Sequence, residues 1–168
     1  MEKKVLVAYA SKQGATAEIA EKIGNVIRDA GLVVDVFPAD QVRDPGTYDV
    51  IVLGSAVYYG RWQKDAVTFL KRNEKFLADL PVWFFSSGPV GEGDPVDLLD
   101  GWHFPPLQQE IADRIQPRGI RVFHGVLRND KLNFFEKWIM NNFESPEGDF
   151  RDWDAITAWA KTITEGLK

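Results

Sequence analysis

The chain has 168 residues, 45% of them hydrophobic and 27% charged, with 20 lysines and arginines against 25 aspartates and glutamates, a formal net charge of -5 and no cysteine. That length buries a core without metal or disulfide staples and predicts one domain over residues 1–168. The absent thiols exclude disulfides, thiol catalysis, cysteine-held zinc and iron-sulfur ligation, and the acidic balance argues against a nucleic-acid partner.

Met1-Glu2-Lys3-Lys4 leads straight into the first apolar run without a signal peptide, so the expected location is cytoplasmic. No segment approaches the roughly 18 apolar residues needed to span a bilayer. The first run, Lys4 to Tyr9, reads as a strand. A turn, Ser11-Lys12-Gln13-Gly14-Ala15-Thr16, then opens a helix from about Ala15 to Ala30. Ile19, Ala20, Ile23, Val26, Ile27 and Ala30 lie on its apolar face, and Gly31 is placed to end it.

Further strands are expected over Val33 to Phe37, Val50 to Leu53, Val82 to Ser86 and Ile120 to Val126. Further helices are expected over Gln63 to Arg72, Pro106 to Ile115 and Leu132 to Asn142. A last helix follows the N-cap Asp152 and stacks Ile156, Trp159, Ala160, Ile163 and Leu167 on one face. This alternation predicts an α/β, doubly wound, five-stranded parallel sheet in the order 2-1-3-4-5, with helices on both faces. Ligands in such sheets bind at the carboxyl ends of the strands. Three loops meet there: Ala10 to Thr16, Gly54 to Trp62, and Ser87 to about Pro95.

The first loop has the chemistry of a phosphate site. A helix N-terminus offers unpaired amides and the positive end of a dipole, so Gln13, Gly14, Ala15 and Thr16 can donate to an anion. The Ser11 and Thr16 hydroxyls add donors, Lys12 adds charge, and Gly14 keeps a Cβ out of the way. Ser and Thr at a helix start serve equally as simple N-caps. Neither GxGxxG nor GxxxxGK[ST] is present, and Gly54-Ser55-Ala56 and Ser86-Ser87-Gly88 both fail the GxSxG elbow.

The second loop, Gly54-Ser55-Ala56-Val57-Tyr58-Tyr59-Gly60-Arg61-Trp62, crowds aromatics at a strand end. Tyr58, Tyr59 or Trp62 would stack on a flat ring, and the backbone of Ala56 to Gly60 would meet the ring edge; the same residues would also suit a tight turn rimmed by core aromatics. The third loop, Ser87, Gly88, Pro89, Val90 and Gly91, leaves amides for a polar edge. Glu92 and Asp94 follow, either as charges near the ring or as solvated acids. His103 and His124 have no metal-ligand or triad spacing.

The turn from Ser11 to Thr16 resembles the phosphate loop of the flavodoxin family, which reads roughly TxTGxT after the first strand, with Gln13 standing for the middle Thr. The resemblance implies a flavodoxin-like fold and flavin mononucleotide (FMN) as cofactor. It also implies a peptide at Gly60 that reorients with the protonation of the flavin. Gly54 to Gly60, Gly125-Val126-Leu127-Arg128 and Asp152-Trp153-Asp154-Ala155-Ile156 extend it. They resemble the flavodoxin-domain branch that includes menaquinone-dependent protoporphyrinogen IX dehydrogenase; the dehydrogenase itself, as the resemblance implies, carries a long basic, membrane-associating insertion after the fifth strand.

Here that stretch, Asn129 to Trp153, sets Lys131, Lys137 and Arg151 against Asp130, Glu136, Glu144, Glu147 and Asp149. An acidic segment is not drawn to anionic lipid, so peripheral membrane contact is disfavoured. The expectation is an FMN redox protein that passes electrons to a protein partner or small-molecule acceptor. Quinone-dependent protoporphyrinogen IX dehydrogenation and a flavin-free interaction module are the alternatives. The apolar stripe Leu132, Phe135, Trp138, Ile139 and Phe143 would pack on the sheet or dock a partner.

Overall fold

Val5 and Val7 fill one core cluster while Leu6, Ala8 and Ala10 fill another, as the two-residue period of a strand covered on both faces requires. The computed structural model describes residues 2–127, 135, 138 and 148–168. Strand β1 is Lys4–Ala10, helix α1 is Ala15–Asp29, and β2 is Val33–Pro38. Strand β3 is Val50–Tyr58 and β4 is Arg61–Trp62, followed by α2, Lys64–Arg72, and α3, Glu74–Ala78. Then come β5, Val82–Ser87, α4, Gln109–Ile115, β6, Gly119–Phe123, and β7, Val126–Leu127. Strand β8, Gly148–Asp149, and helix α5, Trp153–Glu165, complete the described elements.

The main sheet runs β2-β1-β3-β5-β6, parallel throughout, with β4 attached to β3. With the arm β4 left out, this is the expected order 2-1-3-4-5. Ile19, Ile23 and Ile27 of α1 and Ile156, Trp159 and Ile163 of α5 cover one face, all sharing a cluster with Val5, Val7 and Phe85. Ala66, Phe69 and Leu70 of α2, Leu77 of α3 and Ala112 and Ile115 of α4 cover the other. Complete burial of an Ile contributes about 1.5–3 kcal/mol, so these faces and not helix propensity hold the layers. The Asp152 carboxylate accepts the Ala155 N–H at 3.0 Å and caps α5, as its sequence predicts.

Three expectations are corrected. The third strand does not stop at Leu53 but continues to Tyr58, because Gly54, which looked like a break, gives up its side-chain space to the Phe85 ring. The last expected strand, Ile120 to Val126, divides into β6 and the separate β7, which pairs antiparallel with β8. The expected helix from Pro106 begins as a turn of 3-10 helix, Pro106–Gln108. The helix expected over 132–142 lies outside the described residues, as does Arg128; of the apolar stripe only Phe135 and Trp138 are described, both exposed.

The register aligns the strand ends into one floor. Ala10 pairs with Ser55, Ala56 with Ser87, and Ser87 with Phe123. Every loop that leaves this line emerges on the same edge of the sheet, the one where the crossover direction reverses between β1 and β3.

Candidate functional site

Gly14 is the N-cap of α1, in the left-handed region at φ 93 and ψ -14. A residue with a Cβ is strained there, so the turn from β1 into α1 depends on glycine. The Gly14 N–H donates to Ser11 Oγ at 3.0 Å, which fixes the turn and leaves the Ser11 hydroxyl hydrogen for another acceptor. The Ala15 and Thr16 amides lie in the first turn, where a helix provides no backbone acceptor. Ser11, Lys12, Gln13, Ala15 and Thr16 line a recess of about 30 Å³, which Glu18, Ala56, Tyr58, Val126 and Arg151 complete.

Thr16 is almost fully buried, and its hydroxyl is within 3.0 Å of Ser87 Oγ. That pair ties the first loop to the end of β5. One hydroxyl donates to the other, and the second hydrogen remains for a ligand.

Strands β3 and β4 form a hairpin, with Val57 opposite Trp62 and Tyr58 opposite Arg61. Its two turn residues, Tyr59 and Gly60, have φ 53 and φ 72, the positive pair that a two-residue primed turn uses. Buried hydroxyls fix its base: Ser55 Oγ accepts the Gln63 N–H at 2.9 Å, and Ser86 Oγ accepts Trp62 Nε1–H at 2.8 Å. Trp62, one of the residues expected to stack on a ring ligand, is therefore a core residue, packed edge-on against Phe84 and Phe104 at 5.9 and 4.8 Å between centroids. Tyr58 and Tyr59 remain at the mouth. Lys12 Nζ lies 5.0 Å from the Tyr58 ring centre, and Tyr59 is 68% exposed.

Next to the recess, and sharing Gln13, Ala15, Thr16, Ala56, Tyr58 and Val126 with it, lies a cleft of about 210 Å³. Val57, Tyr58 and Tyr59 form one side; Ser87, Gly88, Pro89 and Val90 form another; Gly125, Val126 and Leu127 close it. Gly60 and Gly91 of the expected set stand outside this lining, Gly60 in its turn, where a Cβ would lie 4.0 Å from Trp102 Nε1, and Gly91 at φ 114. Glu92 and Asp94 are exposed, and Asp94 accepts the Val96 N–H at 2.8 Å, so no carboxylate of that loop lines the cleft. A roomier hollow of about 680 Å³ between Phe37 and Tyr48 lies off the edge strand, away from the ends of β1, β3 and β5.

Two glycines set how closely the three loops approach. A Cβ on Gly88 would lie 2.8 Å from the Val57 carbonyl oxygen, and one on Gly125 would lie 2.7 Å from Gly88 Cα. Backbone bonds hold the contact: Gly88 N–H to Phe123 O at 3.2 Å, and Gly125 N–H to Pro89 O at 2.9 Å.

The sequence model of the flavodoxin domain matches residues 6–154. The chain belongs to the flavodoxin domain family. Membership carries flavin binding with it. The chain is 20% identical to the quinone-dependent protoporphyrinogen IX dehydrogenase of Escherichia coli strain K12, over 95% of this chain and 94% of that one. An archaeal flavodoxin superposes with a TM-score of 0.64 at 18% identity, covering 98% of each chain. Oxidised flavodoxin 1 from Bacillus cereus superposes with a TM-score of 0.63 at 15% identity, covering 98% of this chain and 99% of that one.

Among the described residues of this flavodoxin-domain chain, no helix is long and apolar enough to cross a membrane. Sequence reasoning missed Val126, Leu127 and Arg151 as parts of the site's wall. The only signal for Gly125 to Leu127 was the Gly-x-Leu-Arg pattern. Arg151, 4% exposed and in a stretch that reads as charged surface, carried none.

Proposed function

We propose that the joined recess and cleft bind FMN, phosphate in the recess and ring in the cleft, and that the protein passes electrons to a protein partner or small soluble acceptor. The observation that carries this reading is the continuity of an amide-rich helix N-terminus with a mostly apolar slot. When bound, the flavin supplies all of the redox chemistry. The chain's own residues position it. Ser11, Lys12, Gln13, Ala15 and Thr16 offer donors and charge to the phosphate, with Gly14 shaping the loop. Val57, Val126 and Leu127 exclude water from the ring, and the backbone from Ser87 to Val90 meets its polar edge. The Tyr59–Gly60 peptide, in its two-residue turn, is the backbone unit able to reorient against that edge.

Mass spectrometry of the ligand released from protein purified under native conditions tests the cofactor directly. FMN is the expected mass; a colourless protein with no flavin mass would leave the interaction-module alternative standing. Stacking against Tyr58 or Tyr59 contributes about 0.5–1.5 kcal/mol per contact beyond buried area, and electron-rich phenol rings quench flavin emission. Bound FMN is therefore expected to be nearly dark, and Tyr59→Leu or Tyr58→Leu to restore emission in the variant that removes the contacting ring. Parent-level quenching in both variants would place the ring elsewhere.

A second reading, oxidation of protoporphyrinogen IX with a quinone acceptor, is supported by the relative that matches 95% of this chain. The acidic stretch from Asn129 to Trp153 and the modest cleft rank it below electron transfer. Turnover of protoporphyrinogen IX with a soluble menaquinone analogue, with and without anionic liposomes, separates the two. Background-level turnover is expected, and turnover well above autoxidation would reverse the ranking.

A further inference from the structure

Arg151 lies at the opposite end of the chain from the first loop, yet it lines the recess. The side chain is 4% exposed. Nε and Nη2 donate to the two oxygens of Asp149 at 3.0 and 2.7 Å, and Nη1 donates to Glu18 Oε2 at 2.6 Å and to the Ala15 carbonyl at 3.3 Å. The Trp153 ring covers it at 4.7 Å. The Asp149 hydrogen bond, followed by that to Glu18, raises the guanidinium pKa against the opposing effect of burial, so the charge is permanent.

Two further positive elements stand beside Arg151. The N-terminus of α1 is the positive end of its dipole, and the next positive group in the recess wall is Lys12. An anion belongs between them. Of the five N–H groups of a guanidinium, four are used, and the remaining one on Nη2 has no partner among the described residues. The paired acids do not fill that role: Glu18 is 60% exposed, and Asp149 grips the guanidinium as a fork that sets its plane.

We infer that Arg151 is a second cation of the phosphate site beside Lys12, giving its charge and its remaining N–H to the FMN phosphate, while Asp149 and Glu18 hold it in place. The inference rests on the FMN reading of the recess. It makes the phosphate site a joint product of the first loop and the segment between β8 and α5. The Phe150 N–H bond to the Gly125 carbonyl, 3.0 Å, ties that segment to the ring end of the cleft as well.

The test is fluorescence titration of apoprotein with FMN and with riboflavin, which lacks the phosphate. Charge-assisted hydrogen bonds predict that Arg151→Gln weakens FMN by about 10- to 100-fold and leaves riboflavin unchanged. Arg151→Lys keeps the charge and should retain part of the preference. If Arg151→Gln does not fold, the double variant Asp149→Asn with Arg151→Gln, which strands no carboxylate at 149, gives the same comparison. Equal loss for both ligands, or no loss for either, would overturn the inference and leave Arg151 as a structural tie. The parent protein separates the two levels of the argument. No preference for FMN in the parent would sink the phosphate reading and the inference together, whereas a parental preference abolished by Gly14→Val but kept by Arg151→Gln would sink the inference alone.

Discussion

Gly125→Ala is expected to remove the binding of FMN and riboflavin alike. Its new methyl would stand 2.7 Å from Gly88 Cα and 2.9 Å from Gly88 O, and those atoms are backbone, with no rotamer to change. Gly88 cannot retreat, because its own Cα hydrogens already face the Val57 carbonyl, 2.8 Å from where a Cβ would be. Relief therefore requires the loops after β3, β5 and β6 to separate, and those loops are the walls of the ring cleft. Overpacking of this kind costs about 1–3 kcal/mol, so the fold is expected to survive with a lowered midpoint in urea. Gly88→Ala should act in the same way. Titration with both ligands, together with urea unfolding, checks this; parental flavin affinity in Gly125→Ala would show that the three-loop contact does not shape the site.

Gly14→Val is expected to act at the other end and on one ligand only. A Cβ there would meet nothing within 4 Å, so the effect does not start from a clash at that atom. It arises from the backbone, held at φ 93, where a residue with a Cβ costs about 1–2 kcal/mol and a β-branched one more. If the loop escapes by abandoning the left-handed cap, the Ser11–Gly14 turn opens and the first-turn amides no longer converge on an anion. About 1–2 kcal/mol corresponds to roughly 5- to 30-fold in affinity, and riboflavin should lose much less because the loops after β3, β5 and β6, which form most of the ring cleft, stay in place. Equal weakening of FMN and riboflavin would mean that this turn does not hold the phosphate. The two glycine variants form a pair, since one removes the ring site and the other the phosphate preference.

The sheet was legible because its evidence is local. Each strand is an apolar run bounded by turn residues, and α1 and α5 declare themselves by period, cap and stop signal. What failed was local evidence that tertiary contacts override. Gly54 reads as the end of a strand, yet the strand continues because Phe85 takes the space above it. Trp62 reads as a loop aromatic; two residues of turn reverse the chain, and the pairing with Val57 sends it into the core. The turn itself, Tyr59-Gly60, has only its glycine in common with the Asn-Gly and Asp-Gly pairs that announce such hairpins. In the candidate site, the first loop and the aromatic turn were legible as neighbours because each follows a strand that ends on the same edge of the sheet. Arg151 was not, since its role depends on α5 packing beside α1 and no spacing within the sequence encodes that contact.

The central claim is that one continuous site holds both ends of FMN, and titration of the parent apoprotein with FMN and riboflavin tests it most directly. The account predicts that FMN binds more tightly than riboflavin, with its emission quenched on binding. Absence of binding, or equal affinity for the two ligands, would contradict it.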